Sequence, residues 1–181
     1  MNVFYEEEGT LKVGAVLADN VTSLQVEALH GKRSKIKAAN VLLRFSETGI
    51  ADFMPQAQRA ADEIDVDFLW QCSSAEEFDF EALAREYYGH AASAVEAAAV
   101  ALRLHGAPMY FYKRGRGRYK AAPADALKAA LASVERKKQQ ARQKEAYVAQ
   151  LTAGKLPAEF DPVMRVLLYK PDRSSIEWKA L

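Results

Sequence analysis

The sequence is poor in the residues that staple, anchor or activate a protein. Its one cysteine, Cys72, excludes an internal disulfide, and His30, His90 and His105 stand apart from it and from one another. No zinc spacing and no Cys/His nucleophile pair is therefore visible. No stretch of roughly 18 apolar residues occurs. Even the alanine-rich run from Ala91 to Leu104 is interrupted by Glu96 and Arg103, which excludes it as a membrane span. The opening Met1-Asn2-Val3-Phe4-Tyr5-Glu6 lacks the basic and then apolar run of a signal peptide. These absences predict a cytoplasmic protein with no membrane partner. No G-x-S-x-G motif is present. Gly31-Lys32-Arg33-Ser34 fails the phosphate-loop spacing, because Val26 holds the first glycine position and Arg33 follows the lysine.

What is present is enough apolar sequence for a core and an uneven distribution of charge. The chain has 181 residues, 50% hydrophobic and 27% charged, which suits one large or two to three small folded units. Its net charge is only +1, yet residues 51–90 carry two basic residues against ten acidic ones. Residues 91–181 carry seventeen against eight, while the first fifty balance at six each. A basic half of this kind points to a polyanion as partner.

The pattern of the chain predicts an α+β fold in three parts. Over residues 1–50, short alternating runs (Val3 to Glu6, Leu11 to Leu17, Ser23 to Leu29, Ser34 to Ala38, Val41 to Phe45) read as the strands of a small β-barrel. Residues 51–122 read as a winged helix. Helices are expected from about Met54 to Trp70 and Glu77 to Tyr88, and a third begins at the Ser93/Glu96 capping box and runs to Leu104. A hairpin wing follows, with strands at Met109 to Tyr112 and Arg118 to Lys120 around a glycine-rich tip. Residues 123–181 read as a long helix opened by Ala122-Pro123 and closed by Gly154, then a helical connector with an apolar stretch at Phe160 to Tyr169 and a capped helix from Ser174. In the long helix Lys138 and Glu145 interrupt the seam of Leu127, Leu131, Val134, Ala141, Val148 and Leu151, so a solvated connector is expected rather than a coiled coil.

The wing concentrates the candidate chemistry. Lys113, Arg114, Arg116, Arg118 and Lys120 lie among Tyr110, Phe111, Tyr112 and Tyr119, pairing cations for phosphates with rings for unpaired bases. Against this stands the reading in which the rings are hairpin core and the cations keep the tip soluble. A second basic cluster, Lys32, Arg33, Lys35 and Lys37, fits either a nucleic-acid contact or an edge strand protected by its charge. The third helix is rich in alanine where reading base edges in a DNA major groove needs Arg, Asn, Gln or Lys. Asp62, Glu63, Asp65 and Asp67 lack the glycine and terminal glutamate of a calcium loop and read as a solvated helix end. No catalytic residue and no metal ligand emerges.

On the segments NVFYEEEGTLKVGAVL, SLQVEALHGKRSKIKAANVLLRF, EALAREYYG and GRYKAAP, the chain resembles the N-terminal region of bacterial ribonuclease II and ribonuclease R family exoribonucleases of the winged-helix type. The resemblance implies a magnesium-dependent, processive 3′-to-5′ hydrolase whose front domains guide single-stranded RNA. It implies as partners the catalytic and OB-fold domains of the same parent chain, neither of which is recognisable here. Asp62, Asp65 and Asp67 do not match the family's metal-binding aspartates, so no cofactor is expected in this segment and Mg2+ belongs with the catalytic domain. The RNA-binding candidates are Lys113, Arg114, Arg116, Arg118, Tyr119, Lys120, Lys32, Arg33, Lys35 and Lys37. Two other readings stay open: a winged-helix DNA-binding regulator dimerising through its long helix, and a docking module with no nucleic-acid contact.

Overall fold

Period-two alternation governs the first forty-five residues. A computed structural model describes residues 1–154. Five strands, β1 (Asn2–Glu7), β2 (Thr10–Asp19), β3 (Ser23–Glu27), β4 (Arg33–Lys37) and β5 (Val41–Phe45), form an antiparallel sheet of order β4-β3-β2-β1-β5. No pairing joins β4 to β5 among the described residues, so the sheet is open and the expected barrel closure is not part of it. One face buries Val3, Tyr5, Leu24, Val26 and Ile36 in a single cluster. The first half of β2 pairs with β1 and the second half with β3. Gly14 sits where the two halves meet, and a Cβ there would lie 3.1 Å from Val26 Cβ and 3.3 Å from the Glu27 carbonyl oxygen. The glycine lets β3 approach closely.

The opposite face of β1 points Phe4 at the helices. Helix α1 (Ile50–Glu63) inserts Phe53, fully buried, against Phe4 at 5.9 Å and stacked on Phe45 at 3.8 Å between ring centroids. This packing explains why the helix starts four residues earlier than expected. Proline favours a helix's first turn, but burial of Phe53 extends α1 back to Ile50 and leaves Pro55 inside it. The helix also ends sooner. Ile64 is buried in an extended conformation, and the Asp65 carboxylate accepts from the Asp67 and Phe68 amides, starting α2 (Val66–Cys72) afresh.

A short strand, β6 (Glu77–Asp79), replaces the start of the expected second helix. Asp79 caps the helix that follows, α3 (Phe80–Tyr88), by accepting from the Glu81 amide at 2.8 Å. The Ser93/Glu96 capping box forms as expected and opens α4 (Ala94–His105). Half of α4 is buried, namely Ala97 to Ala101 and Leu104, so this helix is core. The strands β7 (Phe111–Gly115) and β8 (Arg118–Ala121) complete a three-stranded antiparallel sheet of order β6-β8-β7. The fold is thus α+β: among the described residues, two antiparallel sheets and five helices, of which α5 (Ala124–Thr152) is long.

The chain divides into two compact units, Met1–Ala124 and Asp125–Leu181. Both sheets and helices α1 to α4 share the first. In the second, α5 rises about 44 Å over 29 residues. Most of its residues are exposed, including Leu131 and Val148, in keeping with an interrupted seam. The apolar stretch at Phe160 to Tyr169 and the helix expected from Ser174 lie outside the described residues.

Candidate nucleic-acid interface

The hairpin that gathers the cations is shaped by a bulge and a glycine. Lys113 pairs with Tyr119 and Gly115 with Arg118, so Arg114 is an extra residue without a partner across the ladder. A bulge of this kind re-aims side chains locally, and it leaves Arg114 exposed. Only Arg116 and Gly117 connect the two strands. Gly117 is buried with φ +68°, and a Cβ on it would meet Phe80 Cδ1 at 2.9 Å. Its carbonyl also accepts from the Phe80 amide at 3.0 Å. The hairpin end is therefore fastened to the start of α3 rather than projecting freely.

Strand alternation then sorts the ten expected RNA-binding residues. On the inner face Tyr119 is 3% exposed. Burial, and secondarily the charge of Glu6, pushes its phenol up to about 12. A ring so enclosed has no face to offer a base, and Tyr119 is corrected to a core residue. Its neighbour across the ladder, Lys113, forms an ion pair with Glu6 of β1. Glu6 is 7% exposed and its Oε2 has no hydrogen-bond partner, so Lys113 is the counter-charge that makes this burial tolerable. Lys113 is thus committed within the fold. Arg118 pairs with Glu77 at 2.7 Å, both half-exposed.

Arg114, Arg116 and Lys120 have no ion pair among the described residues. Tyr112 lies directly across from Lys120. At 39% exposure it is the hairpin's open ring, since Tyr110 and Phe111 are buried and Phe111 stands edge-on to Phe78. The Tyr110 phenol is raised chiefly by its hydrogen bond to Asp67, then by burial. Tyr112 also lines a hollow of about 440 Å³ with His105, Pro108 and Lys113. Lys120 borders a second cleft, of about 420 Å³, with Trp70, Ser73, Ser74 and Pro123. The Trp70 indole donates to the Ala122 carbonyl at 2.9 Å, which fixes that ring at the base of β8.

The second cluster lies on β4. Arg33, Lys35 and Lys37 project from one face of the strand and are exposed, with Lys32 exposed in the preceding turn. Arg33 pairs with Glu27 across the ladder at 2.8 Å. Lys32, Lys35 and Lys37 have no ion pair among the described residues.

The acids at the end of α1 are used locally. Asp65 caps α2, and Asp62 accepts from Gln58 at 3.1 Å. Among the described residues no group of three or more His, Cys, Asp or Glu side chains is placed to hold a metal ion. The magnesium implied by the resemblance has no fitting ligands here, and no hydrolytic step is assigned to these residues. No helix among the described residues is long and apolar enough to cross a membrane. No family model matches this sequence, and no curated protein or solved structure is similar enough to match it.

Proposed function

We propose that this chain is the RNA-binding, substrate-guiding N-terminal region of a cytoplasmic ribonuclease II family 3′-to-5′ exoribonuclease. In this reading Arg114, Arg116 and Lys120 hold the phosphates of single-stranded RNA, and Tyr112 offers a stacking face beside them. The observation that carries it is a set of cations without an ion pair among the described residues, on a hairpin whose one open ring stands opposite Lys120. Arginine forks bind phosphate oxygens bidentately, and aromatic faces accept any unpaired base. Cutting belongs to a catalytic domain outside this sequence, where Mg2+ acts, followed by an OB-fold domain.

The element order from α1 to β8, with β6 beside β8 rather than β7, supports reading this part as a winged helix-turn-helix. The close approach of β3 at Gly14 and the register shift between Val16 and Ala18 support reading the first sheet as a curled, barrel-like one. Burial of half of α4 speaks against duplex DNA recognition, because a helix held in the core cannot present base-reading side chains from those positions. Fluorescence anisotropy with a labelled single-stranded oligoribonucleotide and a DNA duplex of equal length tests the reading. Tighter binding of the single strand, weakened by R114A/R116A, is expected. Preference for the duplex would favour a regulator, and no binding of either would favour a docking brace.

A further inference from the structure

We propose that the free edge of β4 docks an acidic polypeptide segment, which adds to the sheet as a sixth strand. The two edges of the five-stranded sheet differ. Around β5, the Leu42 side chain reaches Gly117, and Leu43 and Arg44 face residues of α3 and α4. In contrast, among the described residues the one element against which β4 packs extensively is β3. The hydrogen-bond phase of β4 follows from the two bonds that bracket it. The Ala38 amide donates to the Thr22 carbonyl at 3.0 Å, and the Ala28 amide to the Lys32 carbonyl at 2.9 Å. In an antiparallel ladder such pairs recur at every second residue, so Ser34 and Ile36 turn their backbone groups towards β3. Arg33, Lys35 and Lys37 therefore turn their N–H and C=O groups outward.

This edge alternates donors with acceptors at the spacing of a strand. A polypeptide satisfies both kinds of group, whereas a phosphate backbone accepts from the amides and leaves the carbonyls unmet. The side chains of the same three residues lie on one face, where Lys35 and Lys37 have no ion pair among the described residues. A hollow of about 270 Å³ formed by Gln25, Arg33, Ser34 and Lys35 opens beside them. Charge selects the occupant. A second copy of β4 paired antiparallel about Lys35 would set Lys35 against Lys35 and Arg33 against Lys37, which like-charge repulsion opposes. A strand with acids at alternate positions meets the same stripe with opposite charge.

The test uses the full chain and a fluorescent, end-blocked hexapeptide of alternating Glu and Val, its Lys and Val counterpart, and a version of the first N-methylated at alternate amides on either register. Saturable binding of the acidic peptide is expected, weakened about tenfold or more by N-methylation, since each lost backbone bond removes roughly a factor of 2 to 10. The basic peptide should bind about tenfold more weakly or worse, and K35E/K37E should reverse that preference. Amide exchange at Arg33, Lys35 and Lys37 should slow when the acidic peptide is present. Absence of binding, or binding indifferent to N-methylation, would overturn the proposal. So would an oligoribonucleotide whose binding depends on Lys35 and Lys37 while the peptide does not bind, or dimerisation through β4. Because R114A/R116A leaves β4 intact, loss of RNA binding in that variant has no bearing on the peptide result.

Discussion

Replacing Lys113 with methionine keeps much of the side-chain volume and removes the counter-charge of a buried carboxylate. Glu6 is 7% exposed, and its Oε2 already lacks a hydrogen-bond partner. Breaking a fully buried ion pair from one side costs about 3–5 kcal/mol. The Lys113 side chain is 39% exposed, so water can reach the vacated end, and a loss nearer about 2 kcal/mol is expected. For a protein of this size that corresponds to a fall in Tm of roughly 4–8 °C. Urea unfolding followed by tryptophan fluorescence gives the free energy directly. The informative comparison is the double variant E6Q/K113M, which removes the orphaned charge and should recover most of the loss. A change below about 0.5 kcal/mol in K113M would refute the reasoning, because it would mean that Glu6 is adequately hydrated without its partner.

Gly117→Ala combines a positive φ with a Cβ placed 2.9 Å from the Phe80 ring, and should lower stability by about 2–4 kcal/mol in the same unfolding assay. Val21 is a β-branched residue at φ +67° and 86% exposed, so Val21→Asn should raise stability by about 1 kcal/mol, seen as a higher urea midpoint. The Tyr119 phenol is raised from 10.0 to about 12. Between those values the folded state keeps a proton that the unfolded state has released. The stability held below pH 10 is therefore lost as pH rises towards 12. Tyr119→Phe should flatten that alkaline decline, and an unchanged decline would place its cause elsewhere.

Much of the fold was legible because its signals are local. All five strands of the first sheet lie within two residues of where alternation places them, and the Ser93/Glu96 box marks the start of α4. The discrepancies arise from long-range packing. Phe53 stacks on Phe45 and draws α1 back past Pro55, and Glu77–Asp79 becomes a strand because β8 lies beside it. At the candidate site the sequence located the cations but not their commitments. Lys113 meets a carboxylate 107 residues away, a distance over which no motif operates. The choice between Tyr112 and Tyr119 turned on strand phase. Outward Tyr112 opposite Lys120 and inward Tyr119 opposite Lys113 follow from the ladder register, which the bulge at Arg114 shifts. The contact of Trp70 with Ala122 spans 52 residues, so the sequence marks Trp70 only as a helix end.

In the proposed function, Arg114, Arg116 and Lys120 grip the phosphates of unpaired RNA. The most direct test is the salt dependence of binding to a single-stranded oligoribonucleotide, measured for the native chain and for R114A/R116A/K120A. Each phosphate contact to a single strand contributes about −0.7 to the slope of log K against log salt. Losing three contacts should therefore flatten the slope by about 2 and weaken binding most at low salt. Equal slopes for the two proteins, or no binding by the native chain even in dilute buffer, would contradict it.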